Sequence, residues 1–228
     1  MNVREMFGDI DIYLFDQLLK GRIGPGMRIL DAGCGQGRNL VYFMREGYDI
    51  YGVDRSEEAI AAVRDLALEL EADTALPGGL AGSGEERFRV EPIEKLSFAN
   101  DYFDVVICNA VLHFAADEAH FLQMAGELWR VLKHDGFLFV RMASKVGMER
   151  RIRPIPGTQR HLLPDGTELF LADDELLGRM AEKLHGQWLE PVKTVLVGDR
   201  RAMTTCCLKK PRILFFEPIA ADLPKLEY

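Results

Sequence analysis

Apolar residues follow a helical period in some segments of this chain and form short continuous runs in others. The helical period predicts five helices, over 12–19, 39–46, 56–70, 119–132 and 173–184. The short apolar runs predict strands over 27–30, 49–53, 88–90, 103–108 and 137–141. Because helices and strands alternate along the chain, the pattern predicts a doubly wound α/β fold with helices on both faces of the sheet.

Two segments define the sheet further. The run Phe103 to Cys108 is continuously apolar, as is typical of a strand buried on both faces in a parallel sheet. Near the end of the chain, apolar runs over 188–197 and 202–208 flank a four-residue turn that begins at Gly198. The sequence therefore predicts a Rossmann-like, mostly parallel sheet of seven strands with a C-terminal antiparallel hairpin.

Two segments lack an apolar period. A stretch rich in glycine and proline over 74–86 is interpreted as a surface excursion, and the stretch over 144–172 as irregular chain. No repeat or linker divides the rest of the chain. We therefore expect one domain over 1–210, which begins with a helix, and a tail over 211–228.

Composition narrows the classes of partner. The 228 residues carry a formal net charge of -8, which disfavours a nucleic-acid partner. The four cysteines lack the spacing of metal ligands or of a disulfide framework, so we expect reduced thiols and no bound metal. No apolar run reaches membrane-spanning length, and the first residues do not resemble a signal peptide. We therefore expect a soluble, cytoplasmic protein without a membrane partner; the oligomeric state stays open.

A glycine-rich turn follows the first predicted strand, where the chain reads ILDAGCGQGRN over 29–39. Ligands of parallel sheets bind at the carboxyl ends of the strands, and glycine lets the backbone approach them closely. Asp54 follows Gly35 by 19 residues, a spacing that suits hydrogen bonds to the two hydroxyls of a ribose. Arg38 stands where the dinucleotide fingerprint requires a third glycine, which disfavours a nicotinamide cofactor.

Four motifs in this order resemble those of the class I S-adenosylmethionine-dependent methyltransferases. They are ILDAGCGQG over 29–37, YGVD over 51–54, FDVVICN over 103–109 and LWRVLKHDG over 128–136. The resemblance extends over about residues 24–141 and is closest to the small-molecule enzymes of the methyltransferase type 11 and tellurite-resistance kind. It implies S-adenosylmethionine as cofactor and a small molecule as methyl acceptor.

The resemblance also implies a set of cofactor-binding residues. Asp31 would orient the amino group of the cofactor, Asp54 would bind the ribose, and Ile93 and Glu94 would bind the adenine edge. Pro92 stands where the family usually has an aspartate, so the acidic contact to adenine is displaced. The rest of the implied set would surround the methionine part, with Arg55 as a further cofactor-binding residue: Gly33, Cys34, Gly35, Gly37, Asn39, Asn109 and Val111.

A general base is needed only for a neutral acceptor. His113, four residues beyond Asn109, is the candidate catalytic residue; the alternative is a packing residue that shapes the pocket. The remaining histidines, His120 among them, are expected to be solvated. Charged and aromatic residues outside the motifs have two interpretations each, either acceptor or cofactor contacts or ordinary surface and packing positions: Arg150, Arg151, Arg153, Arg160, Tyr13 and Asp16.

Two other functions stay open from the sequence. A nicotinamide-dependent oxidoreductase would use the same architecture, and a non-catalytic module would bind S-adenosylmethionine without turnover. Stabilisation of the protein against heat by one cofactor and not by the other would separate the first of these from a methyltransferase.

Overall fold

A mixed sheet of eight strands organises the molecule, and the computed structural model describes residues 2–74 and 84–212. The helices are α1 (Val3–Phe7), α2 (Ile12–Leu19), α3 (Val41–Arg45), α4 (Glu57–Thr74), α5 (Gly84–Arg87), α6 (Glu118–Val131) and α7 (Asp174–Lys183). A single 3-10 turn covers Leu112–Phe114. The strands are β1 (Arg28–Ala32), β2 (Asp49–Asp54), β3 (Phe88–Val90), β4 (Phe103–Asn109), β5 (Leu132–Ser144), β6 (Arg153–Pro154), β7 (Arg160–Leu162), β8 (Glu168–Phe170), β9 (Gln187–Trp188), β10 (Lys193–Val197) and β11 (Arg201–Lys209).

The strand order of the main sheet is β10-β11-β5-β4-β1-β2-β3, and β9 pairs with β11 outside this path. Five neighbouring strands run parallel to one another, in the order β5, β4, β1, β2 and β3. Strand β11 runs antiparallel to both β5 and β10. The predicted doubly wound sheet with a C-terminal antiparallel hairpin is therefore confirmed. The order reverses between β1 and β4, which places a ligand crevice at their carboxyl ends.

Helices cover both faces of this sheet. Val105 and Ile107 of β4 pack in one buried cluster with residues of α2, α3 and α4. Val106 and Cys108 pack in the other, with residues of α6 and α7. Successive residues of a strand point to opposite faces, so the central run of β4, from Val105 to Cys108, needs an apolar side chain at each position.

The segment over 144–172 is not irregular as expected. Its strands β6, β7 and β8 form a separate antiparallel sheet, held against the main body by a small cluster that includes Leu163, Leu171, Ala143 and Met203. The sequence obscured these strands because each has only two or three residues, too few for an apolar period to show.

Several boundaries also differ from the prediction. The helix expected over 39–46 begins only at Val41, because the chain first makes a turn in which the Leu40 N–H donates to the Gly37 carbonyl. Strand β5 begins at Leu132 rather than at 137, and α1 was not predicted. Most of the expected surface excursion, residues 75–83, and most of the expected tail, residues 213–228, lie outside the described residues.

All four cysteines of the sequence are buried and free. Within residues 2–74 and 84–212, no helix combines the length and the apolar character that crossing a bilayer requires.

Candidate cofactor and acceptor site

The glycine-rich turn after β1 brings backbone to the crevice at the carboxyl edge. Gly33 has φ +81°, and a Cβ there would lie 2.3 Å from Cγ2 of Val111, so only glycine fits. A Cβ on Gly35 would meet nothing within 4 Å, which leaves open space over this part of the turn. The turn itself, and not the start of a helix, therefore forms the wall that a ligand would contact.

A cavity of about 420 Å³ opens beside this turn. Its walls come from the ends of β1 and β2, the turn after β3, the segment after β4 and one side of α6. The lining residues are Gly33, Asp54, Arg55, Glu91, Pro92, Ile93, Glu94, Ala110, Val111, Phe114, His120 and Met124. Six of the predicted cofactor residues, from four separate segments of the chain, thus share one cavity.

Asp31, at the end of β1, is only 1% exposed, and neither of its carboxylate oxygens has a hydrogen-bond partner among the described residues. Burial raises the pKa of this carboxyl to about 7, although Asn39 and Arg38 favour the ionised form. Asn109, also buried, has no partner there for either amide atom. Buried polar groups without partners are rare in proteins, so both side chains fit a polar ligand, and the Asp31 carboxylate fits an ammonium group.

Asp54, at the end of β2, is fixed by two backbone N–H groups. Gly35 N donates to Oδ2 and Ser56 N donates to Oδ1, each at 3.0 Å. The carboxylate lines the cavity one strand away from Gly33. This is the position where an acidic residue can accept hydrogen bonds from a ribose diol.

The turn after β3 supplies Ile93 and Glu94 to the far end of the cavity, together with His120 from α6. The Ala116 N–H donates to Nδ1 of His120 at 3.1 Å, so Nε2 carries the proton and donates to Glu94 Oε1 at 2.5 Å. Burial opposes ionisation of Glu94, but hydrogen bonds from its own N–H and from His120 outweigh it and lower its pKa. His120, which was expected to be solvated, is 31% exposed in its side chain, but it also pairs with Glu94 and lines the cavity.

His113 lies in the 3-10 turn after β4, only 6% exposed and outside the set of residues that line the cavity. Its Nδ1 accepts a hydrogen bond from the Ala143 N–H at 3.1 Å. Burial lowers its pKa to about 4, and Arg201 adds to the effect. A neutral ring that braces β5 from the turn corresponds to the alternative role of His113, that of a packing residue.

The remaining predicted cofactor residues support the turn from behind. Cys34 is buried against Gly52, and the Cβ position of Gly37 faces Val63. Asn39 is buried, and its Oδ1 accepts a hydrogen bond from the Asp11 N–H at 3.1 Å. None of the three predicted residues lines the cavity.

The candidate acceptor arginines do not converge. Arg150 and Arg153 are exposed, Arg151 pairs with Asp199 at 2.9 Å, and Arg160 donates to the Glu168 carbonyl. None of the four lines the cavity. Their placement fits the alternative of solvated or locally paired charges.

Tyr13 and Asp16 of α2 also lie outside the lining of the cavity. The Tyr13 ring centroid lies 5.6 Å from the guanidinium carbon of Arg141, and Asp16 pairs with Lys20 and Lys193. Sequence reasoning missed Arg141, although its place at the end of a parallel strand was visible in the pattern.

Comparison with known proteins agrees with this geometry. Residues 30–140 match a family described as a methyltransferase domain. The ubiquinone/menaquinone biosynthesis C-methyltransferase UbiE of Vibrio parahaemolyticus is 31% identical over 160 residues, covering 70% of this chain and 58% of the relative. The ubiquinone biosynthesis O-methyltransferase of Azorhizobium caulinodans is 30% identical over 181 residues, covering 72% and 66%. The chain thus spans about three fifths of the length of these curated relatives.

The fold has solved counterparts as well. A crystal structure of the PH0226 protein from Pyrococcus horikoshii superposes with a TM-score of 0.65 at 21% identity, covering 87% of this chain and 89% of that one. Residues 30–140 therefore form a methyltransferase domain, and the chain belongs to the class I S-adenosylmethionine-dependent methyltransferase superfamily, as its motifs predicted.

Proposed function

We propose that this protein transfers a methyl group from S-adenosylmethionine to a small-molecule acceptor. The observation that carries the proposal is the Asp31 carboxylate, fully buried and without a partner among the described residues, at the strand end below the open backbone of Gly35. Asp54 stands at the next strand end, ready for a ribose. This combination fits an amino-acid ammonium and a nucleoside held in one extended ligand.

The cofactor-binding roles follow the order of the strands. Ile93 and Glu94 after β3 would receive adenine, Asp54 after β2 the ribose, and the turn from Gly33 after β1 the methionine part. Asp31 would pair with the ammonium group. In this arrangement Glu94 replaces the acid missing at Pro92, and His120 holds its carboxylate in place.

When bound, the cofactor would supply a methyl carbon on a sulfonium, open to in-line attack by an electron pair of the acceptor, with the carbon–sulfur electron pair left on sulfur. The chain's own residues hold the reactants and exclude water. Val111 closes the cavity beneath the turn, where its side chain meets Gly33. We propose that His113 positions this segment and does not take up a proton, since its Nδ1 already accepts the Ala143 N–H.

The domain organisation, the location and the acceptor class of the enzyme are proposed on separate grounds. We expect residues 1–210 to act as one domain in the cytoplasm, where the four buried free thiols would stay reduced. The net charge of -8 supports a small-molecule acceptor over nucleic acid. The resemblance to tellurite-resistance-type enzymes stays a prediction.

A thermal-shift comparison tests the cofactor. We expect S-adenosylmethionine and S-adenosylhomocysteine to raise the melting temperature and NAD and NADP to leave it unchanged, since only ligands of the folded state stabilise it. Asp54→Ala should weaken binding of S-adenosylhomocysteine by roughly tenfold or more, through loss of charge-assisted hydrogen bonds. Asp65→Ala, an exposed position on α4, is the matched control.

Stabilisation by NAD alone would replace the proposal by the oxidoreductase alternative. If the adenosyl compounds bind, formation of S-adenosylhomocysteine with a panel of acceptors measures turnover. Binding with no turnover on any acceptor would favour the non-catalytic alternative.

A further inference from the structure

Three polar side chains form a line across the carboxyl edge of the sheet. Asn109 on β4 is the register partner of Arg141 on β5, and Arg141 is the register partner of Thr205 on β11. Register partners on neighbouring strands point to the same face of a sheet. We call Asn109, Arg141 and Thr205 the polar row.

The polar row lies on the face that α2 covers. Ile107 lies two residues before Asn109, and Phe139 two residues before Arg141. Cys207 lies two residues after Thr205, because β11 runs antiparallel to β5. All three pack in the same buried cluster as Leu14 of α2. The row is thus the polar continuation of an apolar surface. It begins where this apolar cluster ends, and none of its members is among the residues that line the cavity beside the glycine-rich turn.

Every member of the row has a polar atom without a hydrogen-bond partner among the described residues. These atoms are both amide atoms of Asn109, Nε of Arg141 and Oγ1 of Thr205. Asn109 is 6% exposed and Thr205 is 2% exposed. A single buried polar atom without a hydrogen-bond partner occurs in many proteins. Three adjacent residues that each have such an atom indicate a ligand that supplies the missing partners.

The charges around the row favour an anion. The Asp11 carboxylate, which begins α2, lies 3.1 Å from Nη1 of Arg141 and 3.8 Å from Nη2 of Arg38. Two guanidinium groups thus share this one carboxylate, and Nε of Arg141 has no partner among the described residues, so it can donate to an anion.

The strand order places the row next to the transferred methyl group. In the proposed complex, adenine, ribose and methionine lie over β3, β2 and β1 in that order. The next strands in the same direction are β4, β5 and β11, about 5 Å apart, so the row extends for about 10 Å beyond the methionine end.

We infer that the polar row binds the anionic group of the methyl acceptor, and that the acceptor is a small organic carboxylate. This inference rests on the proposed function. Arg141 is the specificity-determining residue: its Nε–H donates to one carboxylate oxygen, and the hydroxyl of Thr205 and the amide of Asn109 bind beside it. Charge-assisted hydrogen bonds from arginine to carboxylate are among the strongest in proteins.

The test uses benzoate as probe and benzamide as its neutral counterpart. Both are titrated, by saturation-transfer NMR, onto the full chain saturated with sinefungin, a non-reactive cofactor analogue with an ammonium in place of the sulfonium. We expect benzoate to bind at least tenfold more tightly than benzamide. Arg141→Gln should abolish this preference, and Thr205→Val should weaken benzoate binding by roughly twofold to tenfold.

Two controls separate the acceptor site from the fold and from the cofactor. Arg153→Gln removes an exposed arginine from β6 and should bind benzoate like the wild type. Calorimetry with S-adenosylhomocysteine should give wild-type affinity in the Arg141 and Thr205 variants. Thr205→Val keeps the shape of the side chain, so it tests the row even if Arg141→Gln disturbs folding through the Asp11 pair.

Three results would overturn the inference. They are equal binding of benzoate and benzamide to the wild type, undiminished benzoate binding in both row variants, and a tenfold loss of S-adenosylhomocysteine affinity in Arg141→Gln. The last would assign Arg141 to the cofactor. Failure of the proposed function has a different signature, because the wild type would then not bind S-adenosylhomocysteine.

Discussion

Asp31 is a buried carboxyl group that the proposed cofactor would make ionise. Its pKa is raised to about 7 in the free protein, chiefly by burial, whereas a bound ammonium group favours the carboxylate. Binding must therefore release a proton wherever free Asp31 is protonated. We expect the affinity for S-adenosylhomocysteine to rise with pH, by up to about tenfold per unit, between pH 5.5 and 7. Above about pH 8 the ligand's own amino group loses its proton.

Calorimetry in buffers of different ionisation enthalpy measures both the affinity and the proton release. Asp31→Asn should bind more weakly and without this pH dependence, and Asp65→Asn should behave like the wild type. The raised pKa also affects stability: a rise in pH, which increases the affinity for the ligand, lowers the stability of the free protein. The free energy of unfolding contributed by Asp31 falls as pH rises from about 4 to about 7, so Asp31→Asn should stabilise the free protein above pH 7. A flat affinity profile in the wild type would contradict the assigned role.

His113 is expected to stay neutral throughout the working pH range. Its pKa is lowered to about 4 by burial, so the stability it contributes is lost as pH falls from 6.5 through 4. His113→Leu leaves the Ala143 N–H without an acceptor and should cost about 1–3 kcal/mol. His113→Gln can still accept this hydrogen bond and should cost less.

Urea unfolding of the two variants checks the stability order, and NMR of the ring nitrogens checks the titration. A ring that titrates above pH 6, or two variants of equal stability, would argue against the bracing role. The general-base hypothesis makes the opposite claim, namely that His113→Gln loses turnover by a hundredfold or more at wild-type stability.

The contact between Glu94 and His120 joins two elements, the turn after β3 and helix α6. We expect it to make the site selective for the 6-amino group of adenine, since the ionised Glu94 can only accept hydrogen bonds. His120→Leu should weaken S-adenosylhomocysteine binding by roughly threefold to thirtyfold and leave S-inosylhomocysteine binding nearly unchanged. Calorimetry with both ligands measures this, with His134→Leu, at an exposed position of β5, as control. Equal loss for both ligands would reduce His120 to a packing residue.

The elements that sequence predicted well are those whose burial repeats over many residues. Strand β4 was predicted because both of its faces are buried, and α6 and α7 because one apolar stripe recurs along several turns. Strands β6 to β8 were missed because their pairing is set by contacts with one another and leaves no period in so short a run. The local pattern of the sequence therefore specified the main sheet, but not the small sheet of β6, β7 and β8 beside it.

The site divides in the same way. Asp31, Gly33 and Asp54 belong to motifs that are contiguous in sequence, so resemblance could find them. His120 carries no local signal, and Arg141 shows only its place at the end of a predicted strand, because what matters is which distant strand or turn each of them faces. The side chain of His120 became interpretable only once α6 was placed against Glu94.

The four thiols report on opening of the whole molecule, since they are buried on both faces of one sheet. Cys108 and Cys206 lie in the cluster beneath α6 and α7, and Cys34 and Cys207 in the cluster beneath α2 to α4. Burial raises the pKa of each thiol. The smallest increase is that of Cys207, whose pKa rises to about 12. A thiol reagent can therefore react only after the sheet has opened.

We expect dithionitrobenzoate to modify no thiol rapidly in the native protein and all four in guanidinium. If opening is global, S-adenosylhomocysteine at a hundred times its dissociation constant should slow all four reactions by about a hundredfold, because it binds only the closed state. Mass spectrometry of the partly modified protein, with NAD as the control ligand, gives the rate at each cysteine. Protection of Cys34 alone would mean that the glycine-rich turn opens by itself, so that the cofactor orders one edge of the sheet rather than holding the two layers together.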